Sequence, residues 1–215
     1  LVSGGTFLFS ETANFCPPAP VVSNTYYSVA SGNMSANIWS TTSGGAAGPA
    51  VFNCTTHLVI QNGTTVANDV GNFSALDFTV EPLGSFDLTS GGNVMSLCGN
   101  LDVDGTFIAN DSKVDFQGSS AQTIGGSSNT VFYDIRLDNA TGLTLLDEQS
   151  MIGGLDLQNG NFDASGATFH FVSTSTGTGR ILEIQPGADY VGNMNAELDI
   201  NSTSQGWRMM GMSVT

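Results

Sequence analysis

Leu101-Asp102-Val103-Asp104-Gly105-Thr106-Phe107 is the stretch on which the fold turns. Apolar residues at alternate positions make a short strand with one face inward. Glycine then supplies a corner, and Thr106-Phe107 opens a second strand. The phrase comes back twice. Leu76-Asp77-Phe78-Thr79-Val80 leads into Gly84-Ser85-Phe86-Asp87-Leu88, and Leu155-Asp156-Leu157-Gln158-Asn159-Gly160-Asn161-Phe162 is a third copy. A return about every twenty residues marks a solenoid. Alternating strands with Gly and Asn at the corners, where positive φ is needed, make it an all-β parallel β-helix.

Working outward, coils are expected to start near His57, Ala75, Leu97, Lys113, Val131, Met151 and Thr168. The alternation points these residues inward: Leu58 and Ile60; Leu76, Phe78 and Val80; Leu101 and Val103; Val114 and Phe116; Ile135 and Leu137; Leu143 and Leu145; Leu155 and Leu157; Phe169 and Phe171. A single coil cannot bury that row, whereas a stack can, so both ends of the stack need caps. Residues 1–20, with strand-like Thr6-Phe7-Leu8-Phe9 and then Cys16-Pro17-Pro18-Ala19-Pro20, are expected to form an extended arm or linker. Residues 21–56 are read as an N-terminal cap and first coil, and 57–191 as the β-helix coils. Residues 192–215 are read as a C-terminal cap or the start of a following β-domain.

The chain has 215 residues, nineteen acids against Lys113, Arg136, Arg180 and Arg208, and a net charge of −15. Nucleic acid and anionic membrane surfaces are excluded as partners, because both need cationic side chains. No apolar run is long enough for a membrane span. The acidity reads first as a solubility device. Cys16, Cys54 and Cys98 form no C-x-x-C pair, and His57 and His170 stand apart, so no zinc set is visible. An exported chain would form one disulfide, with Cys54–Cys98 as the candidate pair, and three buried free thiols is the equal alternative. The first residues lack the charged and apolar regions of a signal peptide, so the chain is read as a mature or excised fragment.

Phe116-Gln117-Gly118-Ser119-Ser120-Ala121-Gln122-Thr123-Ile124, then Val131-Phe132-Tyr133-Asp134-Ile135-Arg136-Leu137-Asp138-Asn139 and Gly142-Leu143-Thr144-Leu145, resemble repeats of large secreted surface proteins of Bacteroidota. Tyr26-Tyr27-Ser28-Val29-Ala30-Ser31-Gly32-Asn33 with Ile38-Trp39-Ser40 resembles their opening, although Met34 stands where they carry Trp. Trp207-Arg208-Met209-Met210-Gly211 resembles the strand that begins their next β-domain. The resemblance covers most of residues 24–215. It implies a right-handed parallel β-helix, export by the type IX pathway from a Gram-negative bacterium, and a place in adhesins or surface filaments. No carboxy-terminal sorting domain of that family is present in the sequence.

Chemistry is harder to find. No Gly-x-Ser-x-Gly elbow, P-loop, His-Glu-x-x-His or dinucleotide fingerprint occurs. Asp77, Asp102 and Asp156 each follow the first Leu of a repeat and would stack on one outer face, as a glycosidase-type carboxylate pair or simply as a solvated sheet. Asp102 and Asp104 flank Val103 and are the candidate Ca²⁺ ligands. Trp39, Tyr26, Tyr27 and Tyr133 are candidate glycan-stacking rings, with capping of the first coil as the preferred reading for the first three. Seven Asn-x-Ser/Thr triplets occur, as expected of a chain rich in those residues. The sequence therefore points to a non-enzymatic structural or adhesive surface module, partnered by other copies or domains of the same surface protein. A surface-glycan-binding module is the alternative, and a carbohydrate-active β-helix enzyme comes third.

Overall fold

The computed structural model describes residues 24–174 and 177–197, and these contain strands and turns but no helix. They wind into a parallel β-solenoid of about 7 turns. The 1–20 arm, Cys16 within it, and the tail from residue 198 lie outside the described residues.

Each turn presents three faces. The first carries Asn24–Ser28, Thr56–Ile60, Phe78–Val80, Leu101–Val103, Gln122–Gly125, Leu143–Leu145 and finally the first half of Ala188–Ala196, whose second half continues onto the second face. The second carries Gly32–Asn33, Thr65–Ala67, Ser85–Asp87, Thr106–Ile108, Val131–Phe132 and Gln149–Met151. Phe73–Ala75, Val94–Leu97, Lys113–Phe116, Asp134–Asp138 and Arg180–Ile181 make the third. One long strand, Gly154–Phe171, runs round all three.

Parallel register puts equivalent residues above one another. On the first face Leu58 pairs with Phe78, Phe78 with Leu101, Leu101 with Ile124 and Ile124 with Leu145. Val66, Phe86 and Phe107 stack on the second face, and Met95, Val114, Ile135 and Leu155 on the third. All of these are buried, and full burial of each Leu or Phe stabilises by roughly 1.5–3 kcal/mol. A ring chain, Phe73, Phe78, Phe86, Phe107 and Phe132, threads the interior; its closest pair, Phe78 and Phe86, has centroids 4.7 Å apart.

The alternation read from the sequence places every inward residue correctly except Leu76, which is only half-buried. It sits on the corner between Phe73–Ala75 and Phe78–Val80, where the buried neighbour is Ala75 and the two-residue period restarts. The coil starts read from the sequence keep the period but drift in phase. His57 lies on the first face, Lys113 on the third and Val131 on the second. Three short faces per turn all carry the same alternation, so sequence alone cannot distinguish them. The boundary read at 191 falls inside Ala188–Ala196, which pairs with the long strand through Phe171↔Ala196.

Gly105 of the opening phrase is needed for proximity rather than for a left-handed backbone. Its φ is ordinary, but a Cβ there would overlap the carbonyl oxygens of Gly84 and Glu81 on the preceding coil. Gly142 and Gly160, at φ 87° and 83°, do occupy the left-handed region.

Candidate functional site

Corners between faces bury polar side chains, and these are bonded from coil to coil. Gln122 donates through Nε2 to the Leu97 and Gly99 carbonyls and accepts from Gly118 N–H. Asn139 Nδ2 donates to Gln122 Oε1 at 2.9 Å and to Ser120 O at 2.7 Å, and its Oδ1 accepts from Thr141. Gln149 links Thr130 N–H to Ser128 O, and Asn68 Nδ2 donates to Gly71 O. All four residues are buried, so each lost partner would leave a dry polar group costing about 1–3 kcal/mol. Sequence reading passed over these amides as site residues. The available signal was an amide inside an otherwise apolar alternation. Asn139 heads one of the Asn-x-Thr triplets, and its side chain is committed to this network.

Acidic side chains do similar work at the surface. Asp77 Oδ1 accepts from Asn100 N–H at 2.6 Å while Oδ2 pairs with His57 Nδ1 at 2.6 Å. Asp69 accepts from Ser35, Asp104 from Ser127 N–H and Oγ–H, and Asp111 from Gly91 N–H. Those donors hold the Asp69, Asp104 and Asp111 carboxyls below the usual carboxylate value. On the third face Arg136 lies 3.1 Å from Asp115, 2.7 Å from Asp138 and 3.9 Å from Asp156. Burial pushes the Asp115 carboxyl up, and the Arg136 charge offsets that only in part.

The acids singled out from the repeat do not form one ladder. Asp102 stands on the first face in register with Thr79 and Gly125, Asp77 lies two positions before Thr79 and just ahead of that face, and Asp156 lies on the third face opposite Arg136. Following a repeat's first Leu does not specify a face, because the repeat restarts on different faces. Asp102 is outward-facing, and partial desolvation, then the like charges of Asp104 and Asp147, raise its pKa. Asp104 Oδ1 is occupied by Ser127 at 2.8 Å, and among the described residues no group of three or more His, Cys, Asp or Glu side chains gathers. The pair falls short of the six to eight oxygens that Ca²⁺ takes.

The aromatic candidates divide. Trp39 is 1% exposed, donates Nε1–H to Met34 O at 2.9 Å and packs edge-on against Phe52. Its selection as a glycan-stacking ring is therefore corrected: the ring closes the first coil. Tyr26, in register with inward Leu58, and Tyr133 are half-buried against the core. Tyr27 points the other way, in register with Val59 and opposite Ser40.

Cys54 and Cys98 are joined in a disulfide, Cα–Cα 5.4 Å, across 44 residues. It lies beside a corner cleft of about 500 Å³ lined by Asp77, Asn100 and Gln117. A second polar groove, about 380 Å³, separates the cap loop at Ser43 and Gly44 from Gln61, Thr64 and Glu81. Among the described residues no helix is long and apolar enough to cross a membrane.

The two ends differ most. The first strand, Asn24–Ser28, is paired antiparallel by Trp39–Ser40 at Tyr27 and Ser28, and Trp39 bridges on to Gly48. At the other end Ala188–Ala196 pairs with Gly154–Phe171, and no strand among the described residues pairs with its outer edge. No family model, curated protein or solved structure matches this chain.

Proposed function

We propose that the chain is a non-enzymatic structural and adhesive module of an extracellular bacterial surface protein or filament. What supports this reading is one arrangement: an apolar stack running unbroken from Tyr26 to Tyr190, whose outward acids and corner amides are bonded between coils. Side chains committed in this way stiffen a rod and leave few groups for a reaction. The Cys54–Cys98 disulfide suits an oxidising compartment outside the cytoplasm. The repeat resemblance of residues 116–145 adds Bacteroidota and the type IX route to the proposal. The working partners are then other domains or copies of the surface protein. Surface glycans are the alternative ligand, with outward Tyr27 the remaining ring of the original set that faces away from the core.

Negative-stain electron microscopy of the purified chain, together with attachment assays on cells lacking the segment, tests the reading. Stiff rods and reduced attachment are expected. A chain that releases reducing ends from polysaccharides, with the activity lost in Asp102→Asn, would replace the reading with an enzymatic one.

A further inference from the structure

The ladder of the second face is interrupted in mid-rod. Its parallel pairing runs from Gly32–Asn33 through Thr65–Ala67 and Ser85–Asp87 to Thr106–Ile108. There it stops: among the described residues the next strand, Val131–Phe132, pairs with Gln149–Met151 alone. The other two faces pair straight past this level. Corner length explains the break. Two residues, Asp104-Gly105, lead into Thr106, whereas five, 126–130, lead into Val131. Between the two coils lies a cleft of about 330 Å³.

We propose that this cleft is a binding site for a neutral sugar residue. Its wall is held from both sides. Ser127 donates through N–H and Oγ–H to Asp104 Oδ1, and Ser128 N–H donates to Val103 O. From the next coil the fully buried Gln149 accepts from Thr130 N–H at 2.8 Å. A wall fixed in advance lowers the ordering cost of binding. Polar groups on it are left over from the fold. Asn129 Oδ1 accepts from Ser150 Oγ–H, while its Nδ2 makes no bond. Thr130 lines the cleft and is 3% exposed, yet its Oγ1 has no partner. A buried hydroxyl without a partner costs stability, and its place beside a cleft points to a ligand as its partner.

The lining selects the class of ligand. No charged side chain of the described residues lines the cleft, so an anion finds no cation there and a metal ion no carboxylate. Hydroxyls, an amide and strand backbone offer donors and acceptors in turn, beside the exposed flank of Val131. A sugar ring carries the matching mixture, with hydroxyls round its edge and C–H groups on its faces. An added peptide strand does not fit. It would part the coils to twice the strand spacing of about 4.8 Å, whereas Phe107 and Phe132 beneath have centroids 5.9 Å apart. In the larger cleft beside the disulfide, Asp77 and Asn100 already have their oxygens occupied by His57 and backbone N–H groups. A sugar in the smaller cleft gives the adhesive reading its ligand, and rests on that reading only for its use by the cell.

Titration of the isotope-labelled full chain with glucose, galactose, mannose and N-acetylglucosamine, followed through its amide chemical shifts, is the test. At least one sugar is expected to saturate the chain with a Kd of about 1–10 mM, shifting amides 105–107 and 128–131. The uronic acid of that sugar should bind about threefold more weakly or worse, because the chain carries a net charge of −15. Thr106→Val and Asn129→Ala, both at exposed positions, should each weaken binding about threefold or more. Thr130→Val should weaken it too, while the melting temperature holds or rises, since the fold does not bond that hydroxyl. Tyr27→Ala should leave the affinity unchanged. No shift with any of these sugars at about 50 mM overturns the proposal. So do shifts that map to Tyr27 or elsewhere, and so does a Thr130→Val chain that melts lower with its affinity intact. Saturable binding here with normal attachment by cells lacking the segment would keep the site and remove the adhesive reading. Lost attachment without sugar binding would do the reverse.

Discussion

The two ends of the solenoid are built from the same strand type and treated oppositely. At the first coil the chain doubles back, lays Trp39–Ser40 antiparallel on Asn24–Ser28 and buries an indole. Phe52 then connects that indole to Phe73 of the stack, with centroids 5.8 and 6.2 Å away. The disulfide ties the same segment to Cys98. At the last coil Tyr190 stacks on Phe162 at 5.6 Å and Met194 stands largely open. A solenoid has no intrinsic end, because every coil presents the surface that the next one needs. Termination has to be added, and here it is added at one end of the described residues.

The largest effect should come from removing the added piece. Trp39→Ala takes away a fully buried ring and its bond to Met34, and should destabilise by roughly 3–5 kcal/mol, read from chemical denaturation. Next, Cys54→Ser releases the cap segment and should cost roughly 2–4 kcal/mol, with added protease sensitivity confined to the region before Thr56. If both changes were nearly neutral, the sealed end would be no more closed than the other, and the comparison would fail.

The last described coil should respond less. Tyr190→Ala removes a ring that is only half-buried and should cost about 1–2 kcal/mol. Its phenol, pushed up to about 12 by burial, donates to Asn193 O at 2.8 Å. A loss equal to that of Trp39→Ala would show that the last coil is covered as thoroughly as the first.

Acid should narrow the difference by the smallest margin. A carboxyl whose pKa is lower in the folded chain adds stability above its unfolded value, near about 3.9, and loses it as pH falls through the folded value. Asp69, Asp104 and Asp111 are of this kind. Asp102 and Asp115 run the other way. Burial raises both, so they cost stability at neutral pH, and that cost disappears as pH falls through their raised values. Melting temperature should therefore hold or rise slightly from pH 7 towards 5 and drop below about 4. Asp69 ties Ser35 of the first coil, so the protection of amides 34–39 relative to their intrinsic exchange at each pH should fall in acid, and Asp69→Asn should remove that pH dependence.

Reading the sequence succeeded where one residue decides one thing. Leu101 and Val103 alternate with Asp102 and Asp104, and that alternation alone puts the first pair inside. It failed where the answer depends on another coil. Asp102 and Asp156 occupy equivalent places in their repeats yet lie on different faces. Gln122 looks like one more polar residue until Asn139, 17 positions on, is stacked above it. Trp39 reads by preference as a lid and otherwise as a binding ring, and the choice is made only when Gly48 and Ser28 are found against it.

The sequence by itself determined the architecture: short period-two strands, corners at Gly and Asn, a period of about twenty residues, and hence stacked coils with an apolar interior. Those are local preferences repeated, and local preferences can be read along a chain. Only the tertiary structure decided which outward residues share a face, which polar groups are buried and bonded between coils, and how the first coil is closed. Each of those depends on pairs brought together by the winding, with the hydrogen-bonded side chains here typically 17 to 25 positions apart. The repeated phrase carries no record of phase, so it builds the stack without saying where the stack stops.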